Sequence, residues 1–336
     1  MSVGAGRPVP GGGGRVRVVR AVGFGGPEVL VPGEAPEPQA GPGEVVVEVA
    51  VAGVTFVETQ IRRGTDRWHA RPGLPYVPGA LVGGIVAAVG PGVDPGWRGR
   101  RVVAGTGEAD GFAERAVAAA GELFPVPGGL GLAEAVALHS DGSTALGLIE
   151  GAGVGRGDRV LVEAAAGGVG SLLVQLAKAA GAQVVGAARG ERKLALVRGL
   201  GAEAAVDYSA GDWTDRVVEA LGGAGPDVVF DGVGGGIGRA AYEVTARGGR
   251  FSVHGAASGE VTRTTPAREG VRVIGLEQLA GFGPRVAQWA ERMMDLAAAG
   301  VVRPVIGQTF PLERAAEAHA AIEGRETLGK TLLAVR

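Results

Sequence analysis

The sequence predicts an α/β protein: a doubly wound, parallel-sheet domain joined to a second, mostly β domain. Three observations carry that reading. A chain of 336 residues exceeds what one core usually organises and suits two domains. From Asp158 onward, short valine-rich runs alternate with amphipathic stretches of helical length. Two adjacent glycines, Gly167 and Gly168, stand between the first such run and its helix, with Gly170 just beyond.

The elements follow in order. Residues 1–14, with four consecutive glycines at 11–14, read as a disordered leader. From Arg15 to about Pro127 the chain is cut into β-like runs by Gly and Pro, among them 45–54, 81–90 and 101–105. After about Leu130 the pattern changes. Strands are expected at 159–164, 183–188, 204–208, 227–233, 250–255 and 271–276. Helices are expected at 169–181, 191–201, 212–222 and 236–249. The segment 284–336 returns to helix and short strand and is expected to rejoin the first domain. The expected division is 15–128 with 277–336 for the β-rich domain, and 129–276 for the parallel-sheet domain.

Composition narrows the function. Hydrophobic residues make up 46% and charged residues 20%, enough for a normal core and a solvated surface. A net charge of -2 offers no attraction for nucleic acid or an anionic membrane. With no cysteine there is no disulfide, thiolate nucleophile or thiolate metal site. The first twenty residues lack the apolar core of a signal peptide, and no apolar run reaches the roughly 20 residues of a membrane helix. The expectation is a cytoplasmic protein. With 64 glycines in the chain, a glycine counts for its position and not for its presence.

Position favours a dinucleotide. Bare backbone at Gly167, Gly168 and Gly170 lets a pyrophosphate approach the unpaired N–H groups and partial positive charge of a helix N-terminus. The spacing is AxxGGxG, and its weight comes from opening a six-strand alternating series. At the end of the second strand, where NAD-binding folds place an acid, the chain reads 186-GAARGERK-193. Arg189 and Lys193 suit a 2′-phosphate, so NADPH is expected over NADH. The alternative is a solvated helix start with ordinary surface charges.

The stretches 23-GFGGPEVL-30, 75-PYVPG-79, 143-STALGL-148, 164-AAAGGVG-170, 227-DVVFDGVGG-235 and 325-RETLGKTLL-333 resemble the medium-chain dehydrogenase/reductase superfamily, within it the zinc-independent quinone oxidoreductases. The resemblance implies a GroES-like catalytic domain beside a Rossmann domain. It also implies that Lys193, Tyr208 and Arg325 hold the 2′-phosphate, with Arg189 as a further contact. Thr144, Gly168, Val169, Val233 and the 254-HGAA-257 turn, with His254, Gly255 and Ala256, would surround the cofactor. The positions of the family's zinc ligands carry Thr55, Ala80 and Ser140, none a competent ligand, and the four histidines are scattered. No metal is expected.

Without a Lewis acid the substrate should accept hydride readily, as quinones and activated alkenes do. An enone also needs a proton at its α-carbon, from a positioned acid or solvent. The acceptor positions depart from the family pattern: Thr55 replaces an Asn, Glu58 an Asp, and Gln60 and Asp66 two tyrosines. Thr55, Gln60, Asp66 and Asp141 are the catalytic candidates, and Asp141 reads as a cap for the following helix, an acid or a substrate contact. The loop 64–76 reads as a pocket wall with Trp68 and His69, while Tyr76 reads as packing. The expected activity is NADPH-dependent reduction of a quinone or similar conjugated carbonyl. The alternatives are an enoyl or enone reductase and a non-redox protein on the same scaffold. An apolar sheet edge at 271–276 suggests a homodimer.

Overall fold

The computed structural model describes residues 14–107 and 109–336. The expected leader, apart from Gly14, lies outside the described residues. Two compact units result. One takes the described residues to Val136, Thr309–Arg325 and Leu332–Arg336; the other takes Ala137–Gln308 and Glu326–Thr331.

The first unit is β-rich. Strand β1 (Arg15–Ala21) pairs antiparallel with β2 (Leu30–Pro36). The long β3 (Glu44–Val54) precedes helix α1 (Phe56–Arg63), then β4 (Leu81–Val89), β5 (Arg101–Gly105), β6 (Arg115–Ala119) and β7 (Leu123–Pro125). β3 pairs antiparallel with both β4 and β6. Its register shifts at Val46/Val47 and Val49/Val51, where bulges let one valine-rich strand bury side chains on both faces. Its buried valines pack with Val19, Val82, Phe112 and Leu333 into one core. Helix α1 is set by local chemistry. Thr55 caps it in a capping box with Glu58, and Gly64 ends it with φ of 76°.

A fully buried histidine lies in that core. His319 packs edge-on against Phe112 with ring centroids 5.9 Å apart, and neither ring nitrogen has a hydrogen-bond partner. Burial, reinforced by the nearby Arg62 guanidinium, pushes its pKa down to about 3. The unfolded chain binds this proton near pH 6.5 and the folded chain does not. Stability should therefore fall as the pH drops through 6.5 towards 3, by up to about 1.4 kcal/mol per pH unit for this group. Thermal unfolding of His319→Phe should show a shallower acid decline than wild type. Equal slopes would show that His319 does not carry it.

The second unit holds helix α2's last residue (α2, Leu132–Ala137), α3 (Ser143–Ala152), and the alternating series β8 (Arg159–Val162), α4 (Gly168–Ala179), β9 (Gln183–Ala188), α5 (Glu191–Gly199), β10 (Ala204–Asp207), α6 (Trp213–Ala220), β11 (Val228–Asp231), α7 (Gly235–Val244), β12 (Arg250–Val253) and β13 (Arg272–Ile274). The strands form one parallel sheet in the order β10-β9-β8-β11-β12-β13. Strand β11 is buried throughout and β8 beyond Arg159, as a sheet covered on both faces requires. The sixth strand is shorter than its apolar run suggested: Arg272 and Val273 are exposed at the sheet edge.

Residues 277–308 cluster with this unit, not with the β-rich one to which the sequence reading joined them. The reason is helix α8 (Val286–Ala298). Its buried Trp289 closes on Gly147 of α3, where an added Cβ would lie 2.8 Å from the indole. The Trp289 Nε1–H donates to Glu150 at 3.0 Å, and Arg285 donates to the same carboxylate at 2.6 Å. Strand β14 (Ile306–Pro311), helix α9 (Ala315–Glu323) and β15 (Lys330–Ala334) complete the chain.

Candidate cofactor and active site

The order of the sheet places a switch point between β8 and β11, and ligands of open α/β sheets bind beyond the strand ends there. The turn from β8 to α4 occupies that place. Ala164 takes a φ of 47°, a strained value for a residue with a Cβ. Gly170 then sits against the same turn: an added Cβ would lie 2.9 Å from both the Ala164 carbonyl carbon and the Ala165 Cα. Gly168, the first residue of α4, faces Asp141, whose Cγ would be 2.7 Å from a Cβ. The Gly167 N–H is used in the turn, donating to the Ala164 carbonyl at 2.9 Å, and the helix begins with its first-turn N–H groups at Gly168, Val169 and Gly170, in the arrangement an anion needs.

The next turn is built by a buried acid. Asp231, at the end of β11, accepts from the Val233 and Gly234 N–H groups at 3.0 and 2.7 Å and from Thr262 Oγ1 at 2.5 Å. Its carbonyl accepts from the His254 and Gly255 N–H groups, and the Ser258 N–H donates to the Val233 carbonyl at 2.8 Å. The structure therefore brings Val233, His254, Gly255 and Ala256 into one double turn. Burial lowers the His254 pKa to about 4, against the pull of Asp231, so the imidazole brings no positive charge at neutral pH.

Glu163, which the sequence reading passed over, lies between these turns. It is fully buried, and neither oxygen has a hydrogen-bond partner. Burial first, then the facing Asp231 carboxyl, pushes its pKa well above the usual carboxylate range. As pH rises past about 4.5 the unfolded chain releases this proton and the folded chain retains it, so stability is lost with rising pH. Glu163→Gln, whose amide can donate towards Asp231, should raise the melting temperature by about 3 °C or more at pH 7–8. The gain should vanish near pH 4.5. An unchanged or lower melting temperature at pH 8 would contradict this account.

Positive charge gathers at the ends of β9 and β10. Arg189 is exposed at the end of β9, Lys193 lies in the first turn of α5, and Tyr208 follows β10, its N–H donating to the Ala188 carbonyl at 3.3 Å. Tyr208 also packs on the core. An acid that the reading missed lies here as well. Asp207 accepts from the Gly190 N–H at 2.9 Å and from Ser209 N–H and Oγ at 2.8 and 2.6 Å. These hydrogen bonds, led by the Ser209 hydroxyl, hold its pKa below the usual range, with help from Arg189. Asp207 fixes the Arg189–Gly190 turn and spends both oxygens doing so. Glu191, at the start of α5, pairs with Arg198 at 2.6 Å. Thr144 of α3 bonds back to the Ser140 carbonyl at 3.1 Å. Arg325 belongs to the other unit, exposed beyond α9 with φ of 56°.

The four catalytic candidates separate. Thr55 caps α1, and Glu58 completes the capping box while also accepting from the Ala80 N–H at 3.2 Å. Gln60 bonds to Thr59 and Thr65. Asp66 accepts from the Trp68 and His69 N–H groups at 3.0 and 2.7 Å and from the His69 ring at 3.1 Å, shaping a tight turn. Trp68 is 68% exposed, whereas Tyr76 packs on the β-rich core. Asp141 lies in the other unit and pairs with Lys330 Nζ at 3.2 Å. Lys330 was not among the candidates, although a lysine inside the apolar run 328-LGKTLL-333 was the visible signal. Among the described residues, no group of three or more His, Asp and Glu side chains is placed to hold a metal ion. No described helix is long and apolar enough to cross a membrane.

This architecture has known counterparts. Residues 41–147 match the alcohol dehydrogenase GroES-like domain and residues 168–299 match the zinc-binding dehydrogenase domain. The chain belongs to the medium-chain dehydrogenase/reductase superfamily. Within it, the chain groups with the quinone oxidoreductases. The quinone oxidoreductase of Rattus norvegicus is 34% identical over 323 residues, covering 95% of this chain and 97% of its own. A 2-haloacrylate reductase from a Burkholderia species is 31% identical over 326 residues, covering 92% and 96%. The Escherichia coli quinone oxidoreductase in complex with NADPH superposes with a TM-score of 0.86 at 28% identity, over 95% of this chain and 99% of that one.

Proposed function

We propose that this protein is an NADPH-dependent oxidoreductase that reduces quinones or similar conjugated carbonyls without a metal. The observation that carries the proposal is the pairing of a bare helix N-terminus at Gly168–Gly170 with Arg189 just after the neighbouring strand and Lys193 in the first turn of α5. The first suits a pyrophosphate and the second a 2′-phosphate. The quinone oxidoreductase relatives and the NADPH-bound neighbour support it.

NADPH supplies the hydride when bound. The protein's own residues orient and neutralise. The double turn at 231–234 and 254–258 is held by hydrogen bonds to Asp231 and between its backbones, and in this reading presents a wall to the dinucleotide. Tyr208 completes the phosphate contacts in this reading. A quinone takes up hydride and one solvent proton to become a hydroquinone, which calls for no Lewis acid. Thr55, Ala80 and Ser140, at the family's zinc-ligand positions, fit that chemistry. Dimerisation through β13 belongs to the proposal, with light scattering of purified protein as its check.

The haloacrylate reductase relative supports a second reading, reduction of an activated alkene. There the β-carbon takes hydride and the α-carbon a proton. The test is NADPH oxidation by purified protein across quinones, enones and enoyl thioesters, with NADH as control. Turnover of quinones supports the first reading. Turnover of alkenes alone moves the chain to the second. Binding of NADPH with no turnover of any acceptor would overturn both.

A further inference from the structure

Asp141 and Lys330 are 189 positions apart in sequence, yet they meet at the glycine turn. Lys330 is 3% exposed, and its ammonium donates to Asp141 Oδ1 and Ser140 Oγ, each at 3.2 Å. The backbone holds it there. The Gly329 N–H donates to the Ala166 carbonyl at 2.7 Å, and the Lys330 N–H donates to the Val305 carbonyl at 2.7 Å. The lysine is thus tied directly to the turn that precedes α4. Asp141 Oδ2, the oxygen not paired with Lys330, lies over Gly168, so closely that a Cβ there would collide with it.

A carboxylate at this point is a puzzle. The N-terminus of α4 is where a dinucleotide's pyrophosphate would bind, and a fixed negative charge beside it opposes that ligand. A lysine buried in a strand is equally costly without a partner. Each charge accounts for the other. We propose that Lys330 and Asp141 form a built-in counter-charge pair that sets the affinity of the glycine turn for the pyrophosphate. Lys330 cancels the repulsion from Asp141, and Asp141 keeps Lys330 aligned on the turn. Both are positioning residues. The pair explains why Gly168 must lack a side chain: the carboxylate occupies the space.

The proposal rests on dinucleotide binding at this turn, and the test separates the two. NADPH is titrated into the full chain and followed by nicotinamide fluorescence, for wild type, Lys330→Met, Asp141→Asn and the double variant. NADH, which carries the same pyrophosphate, is titrated in parallel, so a mistaken 2′-phosphate assignment leaves the comparison readable. Lys330→Met should weaken binding about tenfold or more, because it uncovers the Asp141 charge. Asp141→Asn should tighten binding severalfold. The double variant should return to within about threefold of wild type, a coupling that neither residue produces alone. Melting temperatures without cofactor are measured alongside. If Lys330→Met does not fold, Asp141→Asn and the double variant still decide. Weaker binding by Asp141→Asn, or a double variant as weak as Lys330→Met, would overturn the proposal. So would four equal affinities.

Discussion

Gly170→Ala should abolish NADPH binding at concentrations that saturate wild type, a loss of about 100-fold or more. The cause is steric and local. The added Cβ would lie within 2.9 Å of the Ala164 carbonyl carbon and the Ala165 Cα, and backbone cannot swing aside as a flexible side chain can. Ala164 is already in the left-handed region with φ of 47°, so the turn has no slack. Helix α4 must move off the turn, at about 1–3 kcal/mol of overpacking strain, and its N–H groups leave the pyrophosphate position. Gly167→Ala is the control. Its Cβ would meet only the Ala164 carbonyl oxygen, at 3.2 Å, and its φ of -81° suits any residue. Titration of the two variants should show near-complete loss in the first and a mild one in the second. Similar affinities would mean that the glycines serve folding and not the ligand.

Arg189→Ala with Lys193→Ala should lower kcat/KM for NADPH by about two to three orders of magnitude and change that for NADH by less than about threefold. Each charge-assisted contact to a phosphate is worth about 1.5–3 kcal/mol, and NADH lacks the phosphate. Asp207 sharpens the contrast. Its oxygens accept from Gly190 and Ser209, which commits it to shaping the Arg189–Gly190 turn. The double variant should lose its preference without gaining NADH activity. Equal losses with both cofactors would show that the two residues support the fold of α5 and do not read the 2′-phosphate.

Much of this was legible in the sequence, and the rest was hidden for physical reasons. The valine-rich runs from Arg159 to Val253 form the central strands because a parallel sheet covered on both faces needs continuous apolar strands. The glycine turn was legible because its place in a strand–turn–helix unit is a local property. Residues 277–308 were not, since the contact that places them joins Trp289 to Glu150, 139 positions away. The same limit hid Lys330, whose partner Asp141 lies in a different stretch of chain. Thr55, Gln60 and Asp66 drew attention for a different reason. Short polar side chains serve active sites and also cap helices and turns, and here each is engaged in local structure. The pattern 55-TFVE-58 is itself a capping box, a signal present in the sequence but outweighed by the resemblance to relatives.

Hydride transfer from NADPH without a metal is open to a single-turnover experiment. Protein treated with a strong chelator and loaded with one equivalent of NADPH is mixed with a para-quinone, and the reduced-nicotinamide absorbance is followed. Rapid, complete loss of the signal is expected, unchanged by added zinc and much slower when NADH replaces NADPH. A stable signal that collapses only after zinc is restored would contradict it.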